Sequence, residues 1–394
     1  MTTYRPADIA RAWGHKPHLL WLDSADETHP NAGWSYVMAD PEEWIEGRME
    51  DCIPRIRKAL AGHEPAGADA PFAGGAAGYF GYDGHVAVGI YRALYAYDHS
   101  NDEGHFINCE AGQNSAPIPA NDYVLEWQPL TSPATYQSRV QKVIDYILAG
   151  DIFQANLSQA FEADLPDSFN TLDYYLRLRE RNPAPFGGYF DAGKRCLASC
   201  SPERFLSINN TGRIETKPIK GTAPRHTNSV DDKASAARLM ASAKDRAENI
   251  MIVDLLRNDL SKVCDPASVQ VEALCALESF ARVHHLVSTV SGQLDEGRDA
   301  LDALAACFPG GSITGAPKIR AMKIIDELED VPRGPYTGAL GWVGFDGAMD
   351  SNILIRSVVF EDGKARLNVG GGITARSQPA AEYQETLDKA AGMQ

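Results

Sequence analysis

The spacing of apolar residues predicts a helix followed by a strand in the middle of the chain. Apolar side chains recur at three- and four-residue steps and stop at Gly150: Tyr136, Val140, Val143, Ile144, Ile147 and Leu148. This period predicts an amphipathic helix. Residues 151–161 alternate instead, which predicts a strand with Gln154, Asn156 and Ser158 on one face.

Similar patterns predict the elements elsewhere. We expect one helix at about 232–258, another at Pro379–Ala391, and strands over 336–372 broken by the turns Asp346-Gly347 and Asp362-Gly363. Residues 1–125 mix short apolar pieces with glycine- and proline-rich turns, and 115–121 is the most linker-like stretch. Because strands follow strands across tight turns, we expect an α+β fold with antiparallel sheets, divided into an N-terminal part, 1–125, and a catalytic part, 126–394.

Composition and charge exclude several classes of protein. The 394 residues carry 37 Lys+Arg against 53 Asp+Glu, a net charge of −16, which argues against a general nucleic-acid binder. No apolar run is long enough for a membrane span, and the first residues lack the apolar block of a signal peptide. We therefore expect a soluble, cytoplasmic protein that binds neither nucleic acid nor membrane. The seven cysteines are scattered, as is typical of reduced thiols.

Two pairs of carboxylates are candidates for a metal site. Asp245 and Glu248 lie on one predicted helix, and Glu382 and Glu385 lie on another with the same spacing. At i, i+3 both members of a pair share a helix face. Oxygen ligands of this kind suit Mg²⁺, which typically takes one or two carboxylates together with water and an anionic group of the substrate. An acidic, solvated helix face is the ordinary alternative.

A lysine and a glutamate are candidates for covalent and acid catalysis. Lys220 lies between a predicted strand end and a glycine turn, where burial could lower its pKa and make it a nucleophile. Glu203 precedes an apparent hairpin around 209–212 that returns the chain toward Lys220. If the hairpin forms, the two side chains approach each other. A surface lysine without a role is the alternative.

Blocks spread along the whole chain resemble the chorismate-utilising enzymes. They are residues 19–24, 35–41, 150–161, 201–205, 218–225, 247–260, 311–322 and 370–389, in the family's order. The resemblance implies a large α+β unit of two intertwined subdomains, with an antiparallel β-sandwich core, helices outside and the site in a cleft.

Two positions sort the activities of that family. The branches that add water resemble one another in having a lysine where this chain has Gln154. The anthranilate branch typically has alanine in the block that here reads Pro218-Ile219-Lys220-Gly221-Thr222, whereas the aminodeoxychorismate branch is similar in having lysine. The resemblance therefore implies Mg²⁺-dependent amination of chorismate by ammonia to 4-amino-4-deoxychorismate, for p-aminobenzoate and folate synthesis.

The resemblance also assigns roles to residues. Lys220 would attack the ring and Glu203 would act as general acid. Mg²⁺ would be held by Glu248 and Glu385, with Asp245 and Glu382 close by or acting through water. The remaining substrate-binding assignments are Tyr336 and Arg356 for the enolpyruvyl carboxylate, the backbone amides of Gly370 and Gly371, Lys389, and, as weaker candidates for the pocket wall, Gln154, Thr222, His285 and Ser312.

Two other functions stay open from the sequence. One is anthranilate synthase activity in the same fold, and the other is a non-catalytic subunit that binds chorismate or an amino acid. Anthranilate synthases resemble this chain in two elements, here residues 19–24 and 182–186, which suggest a regulatory pocket near Ser24 and Pro183. The chain carries no Cys-His glutaminase signature, so we expect a separate glutamine amidotransferase subunit to supply ammonia.

Overall fold

The computed structural model describes residues 4–393 except for 28, 30–31, 65–66, 68, 111–123 and 281–282, and the predicted linker at 115–121 lies outside the described residues. Nine α-helices form within them: α1 Pro6–Trp13, α2 Met49–Leu60, α3 Pro133–Leu148, α4 Thr171–Arg181, α5 Ser229–Ala241, α6 Ala243–Leu260, α7 Ala300–Cys307, α8 Lys318–Leu328 and α9 Pro379–Ala391. A short 3₁₀ turn spans Gly311–Ile313.

The described strands lie in two sheets, which are antiparallel at each pairing. The first sheet contains β1 Leu20–Asp23, β2 Trp34–Met38, β6 Leu94–Asp98, β7 Glu103–Ile107, β8 Gln128–Pro129, β9 Gln154–Asp164, β10 Phe186–Asp191, β11 Arg195–Ser201, β17 Gly315–Ala316, β20 Ser357–Glu361 and β21 Lys364–Ile373. The second contains β3 Glu43–Arg48, β4 Gly75–Phe80, β5 His85–Tyr91, β12 Arg204–Ile208, β13 Arg213–Thr216, β14 Ile219–Pro224, β15 Gln270–Ser279, β16 Val283–Gln293, β18 Ala339–Gly344 and β19 Met349–Asn352.

The two sheets pack face to face. One buried cluster joins Leu20, Met38 and Phe190 of the first sheet to Tyr79 and Leu340 of the second. Burying such side chains stabilises the fold by roughly 1.5–3 kcal/mol each. The antiparallel β-sandwich expected from the sequence is therefore confirmed.

Helices cover the outer faces of the sandwich. Helices α2, α6 and α7 pack on the second sheet through one cluster that includes Ile56, Val253 and Leu304. Helices α1 and α4 pack on the first sheet, and α3 and α8 enclose the start of β9 in a further cluster. Helix α9 lies against β21 and α3. These contacts bring α6 and α9, which carry the acidic pairs, to the same region.

Most predicted elements form where the pattern placed them. The helix before Gly150, the hairpins at 346–347 and 362–363, and the last helix are all present. The single helix predicted over 232–258 is wrong, because the chain breaks into α5 and α6 at Ser242. The hydroxyl group of Ser242 accepts a hydrogen bond from the backbone N–H of Asp245 and caps the second helix.

Strands from both halves of the chain occur in each sheet. Strand β1 pairs with β10 in the first sheet, and β4 pairs with β18 in the second. The division at residue 125 stays a prediction. No helix among the described residues has both the length and the apolarity needed to cross a bilayer.

Candidate functional site

Lys220 lies at an irregularity in the second sheet. Strand β14 pairs with β16 at Ile219 and again at Thr222, and the register shifts between them. Gly221 has φ of +83°, a left-handed conformation that side chains with a Cβ rarely adopt, and a Cβ there would lie 2.9 Å from Cβ of Asp245. The irregularity turns Lys220 toward the 3₁₀ turn, where its Nζ donates to the carbonyl oxygen of Ser312 at 3.0 Å.

Glu203 lies at a second irregularity, between β11 and β12. Its backbone carbonyl accepts a hydrogen bond from the N–H of Ile353 at 3.0 Å. The pairing of β12 with β19 shifts register between Arg204 and Leu206. The residue is only 7% exposed. The hairpin predicted around 209–212 joins β12 to β13 and leads the chain back to Lys220.

The structure brings Lys220 and Glu203 together around Ser312. Burial raises the pKa of the Glu203 carboxyl group, opposed by the charge of Lys220 and by hydrogen bonds from Ser312 and the Ile219 backbone. Burial likewise lowers the pKa of the Lys220 ammonium, opposed by Glu203 and Glu248. Desolvation favours the uncharged form of both groups. A neutral amine beside a protonated acid is the combination needed for nucleophilic attack with general-acid assistance.

The carboxylates on α6 and α9 influence one another. Burial raises the pKa of Glu248, and the charges of Asp245 and Glu382 raise it further, against the effect of Lys244 and Lys220. The Oε1 atom of Glu248 is buried and accepts no hydrogen bond, and its ion pair with Nζ of Lys244 is long, at 3.9 Å. A buried carboxylate oxygen without a hydrogen bond, near other carboxylates, is an arrangement that a cation would complete.

Gly371 leaves room beside the carboxylates of α9. A Cβ at this position would lie 3.3 Å from Oε1 of Glu385 and 3.5 Å from Oε2 of Glu382. Glu385 also forms an ion pair with Lys389 at 2.7 Å. The described residues contain no group of three or more His, Cys, Asp or Glu side chains that could hold a metal ion unaided. These residues therefore fit Mg²⁺ only when water or a ligand completes its coordination.

Arg356 is available for an anion. It has φ of +51°, and no ion pair joins it to a carboxylate in the described part of the chain. The residue is exposed, yet desolvation by nearby protein atoms lowers the pKa of its guanidinium. Tyr336 is 5% exposed, and burial raises its pKa.

The other predicted pocket residues lie where β14 pairs with β16, at the start of β9, and on α9. Thr222 Oγ1 and Nδ1 of His285 lie 2.9 Å apart, and burial lowers the pKa of His285 to about 4, so its ring is neutral near pH 7. Gln154 is 1% exposed, and its Oε1 has no partner. On α9, Lys389 donates to the carbonyl oxygen of Gly370 at 2.8 Å.

Ser24 lines a cavity of about 540 Å³ between the two sheets, which Trp34, Pro185 and Asp350 also line. The hydroxyl group of Ser24 donates to the carbonyl oxygens of Trp34 and Pro185. Pro183, the other residue assigned to a regulatory pocket, is not among the lining residues. The cavity exists near the predicted place, and the described residues around it include none of the catalytic or metal candidates.

The sequence does not predict the buried ion pair that packs against the 3₁₀ turn of the site. Glu329 and Arg333 form a buried ion pair at 2.8 Å next to the 3₁₀ turn. Their i, i+4 spacing is a signal, but the same spacing is common on exposed helices, so the sequence alone offers no reason to single them out. Asn156, whose Oδ1 is buried without a hydrogen-bond partner, lies on the predicted strand, and the sequence assigns it no role.

Replacing Glu248 by glutamine is expected to stabilise the metal-free protein. Because the pKa of Glu248 is raised, its contribution to folding is full below the ordinary pKa and is lost as the pH rises through the raised value. In EDTA at pH 7.5, Glu248→Gln should therefore raise the thermal midpoint by about 2 °C, with little difference near pH 4. Asp254→Asn, at an exposed carboxylate of the same helix, is the control and should change nothing. A lower midpoint for Glu248→Gln at pH 7.5 would contradict the assignment.

Comparison with known proteins identifies relatives of this chain. Residues 18–394 match the family model described as chorismate binding enzyme. The chain is 37% identical to aminodeoxychorismate synthase component 1 of Escherichia coli strain K12, over 99% of this chain and 98% of that protein. It is 44% identical to anthranilate synthase component 1 of Streptomyces coelicolor, over 71% of this chain and 54% of that protein.

A solved structure shares the architecture. Anthranilate synthase component I from Streptococcus pneumoniae superposes with a TM-score of 0.81 and 31% sequence identity, covering 93% of this chain and 92% of that chain. The chain belongs to the chorismate-binding enzyme family.

Proposed function

We propose that this protein catalyses the Mg²⁺-dependent amination of chorismate by ammonia to 4-amino-4-deoxychorismate, the precursor of p-aminobenzoate in folate synthesis. The observation that carries the proposal is the pairing of Lys220 with Glu203 around Ser312, with pKa shifts that favour a neutral amine and a protonated acid. Two sequence relatives that are matched over 98% of their length are named aminodeoxychorismate synthase component 1.

The two residues divide the bond making and bond breaking between them. The neutral amine of Lys220 attacks C2 of chorismate and the ring electrons shift, while the C4–oxygen bond breaks and Glu203 protonates the departing hydroxyl group to water. Ammonia then attacks C4, and the electrons return to expel Lys220 from C2. The enolpyruvyl side chain stays on the ring, and proton loss from the new ammonium leaves the neutral amine.

The carboxylates on α6 and α9 would hold Mg²⁺ together with the ring carboxylate of the substrate. Glu248 and Glu385 are the proposed ligands, and Asp245 and Glu382 stand close by. Bound Mg²⁺ would neutralise negative charge at a site that otherwise gathers carboxylates. Two observations support this assignment: the buried Oε1 of Glu248 accepts no hydrogen bond, and Gly371 has no Cβ to occupy the space beside Glu382 and Glu385.

The second carboxylate of chorismate needs donors elsewhere. We assign it to Arg356 and Tyr336, because Arg356 has no carboxylate partner among the described residues and a guanidinium presents a planar fork to an anion. The backbone amides of Gly370 and Gly371, Lys389, Thr222, His285, Ser312 and Gln154 form the rest of the proposed pocket.

Anthranilate synthase activity is the second candidate and has less support. It would require pyruvate elimination and an aromatic product. The Streptomyces coelicolor relative of that activity is matched over only 54% of its length. A nucleophilic lysine is also unnecessary for it, whereas Lys220 here is half-buried and its pKa is lowered.

A separate glutamine amidotransferase subunit is the proposed source of ammonia. The relatives named component 1 are consistent with an enzyme that works with another component. The cytoplasmic location expected from the sequence stays a prediction.

Incubation with chorismate, Mg²⁺ and ammonium tests the reaction. We expect a non-aromatic product that has exchanged a hydroxyl for an amino group, identified by mass spectrometry, and no product in EDTA. Glu248→Gln and Glu385→Gln should each reduce turnover by at least about 100-fold, because each removes a charged metal ligand. Release of pyruvate with an aromatic product would overturn the proposal in favour of anthranilate synthase, and full turnover in EDTA would overturn the metal assignment.

Replacing Lys220 by alanine tests the covalent route. Lys220→Ala should lower aminodeoxychorismate formation by about 10³-fold or more, since it deletes the nucleophile while Glu203 and the metal ligands remain. Mass spectrometry of acid-quenched wild type should find an adduct on the peptide that contains Lys220. Lys217→Ala, two residues before β14, is the matched control and should keep both turnover and adduct. Normal turnover by Lys220→Ala would rule the route out.

The cavity at Ser24 is proposed to hold an amino acid such as tryptophan. It combines polar groups at Ser24 with the aromatic ring of Trp34, as binding pockets commonly do. Calorimetric titration of protein refolded from denaturant should give a heat of binding for tryptophan, which Ala348→Met should abolish by filling part of the cavity. Absence of heat in the wild type would mean that the cavity has no such ligand.

A further inference from the structure

A buried arginine lies directly behind the 3₁₀ turn that carries Ser312. Arg333 follows α8 and is 4% exposed. Its Nε and Nη2 donate to the carboxylate of Glu329, each at 2.8 Å. Its remaining N–H groups reach the carbonyl oxygen of Asn156 at 2.6 Å, the carbonyl oxygen of Ile313 at 3.1 Å and Oγ1 of Thr337 at 3.3 Å. The guanidinium therefore uses every donor that it has.

These acceptors belong to segments that each carry a residue of the proposed site. Ile313 follows Ser312 in the turn, and Thr337 follows Tyr336. Asn156 lies two residues after Gln154 on β9. Glu329 adds a further connection, because its Oε1 accepts hydrogen bonds from both the backbone N–H and the hydroxyl group of Ser158, at 2.7 and 2.9 Å. One ion pair thus joins β9, the turn and the start of the segment before β18.

The 3₁₀ turn connects this ion pair to the reacting groups through hydrogen bonds. Arg333 holds the carbonyl oxygen of Ile313 on one side. The neighbouring carbonyl oxygen, on Ser312, accepts from Nζ of Lys220, and Ser312 also hydrogen-bonds Glu203. Arg333 touches neither reacting group itself, so it can act on them only through the position of the turn.

The guanidinium shape suits this task. Its acceptors lie on three separate segments as well as on Glu329, and a planar fork can meet them at once while remaining rigid. A lysine ammonium carries its donors on a single nitrogen and would reach only some of them. Tyr82 and Tyr336 also lie beside the guanidinium, with ring centroids at 4.6 and 5.8 Å.

We propose that Arg333 and Glu329 are positioning residues, which fix the Ser312 turn so that Lys220 and Glu203 meet the substrate in reactive geometry. This inference rests on the proposed amination of chorismate. It differs from a merely structural role in one measurable respect. Displacing a reacting group by about 1 Å can cost about 100-fold in rate, while substrate binding through Arg356 and the acidic helices, which Arg333 does not contact, persists.

The test compares two arginines, one buried beside the turn and one exposed on α8. Arg333→Lys should lower kcat for aminodeoxychorismate formation by about 10- to 100-fold, with the KM for chorismate within about 3-fold of wild type. The yield of the Lys220 adduct should fall in parallel. Arg320→Lys is the matched control, because Arg320 forms an exposed ion pair with Asp151, and it should leave kcat, KM and adduct yield unchanged.

A second variant covers the possibility that Arg333→Lys does not fold. Glu329→Asp keeps the charge but withdraws the carboxylate by one methylene, and the same split between kcat and KM is expected. Wild type that forms no aminodeoxychorismate would overturn the proposed function itself. Active wild type overturns the positioning role if either folded variant keeps kcat, if KM rises while kcat is unchanged, or if both variants fail to fold.

Discussion

The proposed chemistry of this protein depends on keeping an amine and a carboxyl group adjacent without making them a stable ion pair. In water Lys220 and Glu203 would both be charged, and the lysine would be no nucleophile. Burial opposes that outcome for both groups, and their mutual attraction offsets it only in part. The β-sandwich supplies the burial, while the irregularities in β12 and β14 turn both side chains toward one 3₁₀ turn.

A second constraint is the negative charge of the protein and of its proposed substrate. A chain with net charge −16 attracts a dianion poorly unless the site itself is compensated. Arg356 and Lys389 supply positive groups, but Lys389 is already paired with Glu385. On the proposed assignment, a cation held by the acidic helices would turn a repulsive surface into one that binds carboxylate. The proposed metal would then serve substrate binding as much as the reaction.

Sequence patterns predicted the features that depend on residues close together in the chain, such as helix periodicity, hairpin turns and shared helix faces. Periodicity located α3, α9 and the hairpins, and the i, i+3 spacing put each acidic pair on one helix face. The apolar pattern did not predict the break between α5 and α6, because the apolar spacing continues across Ser242. Only the hydrogen bond from the backbone N–H of Asp245 to Ser242 shows the helix cap. The association of Lys220 with Ser312 is a long-range contact that no local pattern encodes, and the family resemblance implies only a catalytic role for Lys220 and a place on the pocket wall for Ser312.

Buried polar groups in and behind the proposed site differ in how far protein hydrogen bonds satisfy them. Arg333 uses every donor on protein acceptors, so the segments that it joins have little freedom to shift. Gln154, Asn156 and Glu248 each keep a buried oxygen without a hydrogen bond, and that of Glu248 has Nζ of Lys244 at 3.9 Å. Leaving such atoms without hydrogen bonds costs stability, typically about 1–3 kcal/mol each. On the proposed function, the substrate and its cation would offset that cost, and the rigid framework behind these oxygens limits the shifts by which they could find partners within the protein.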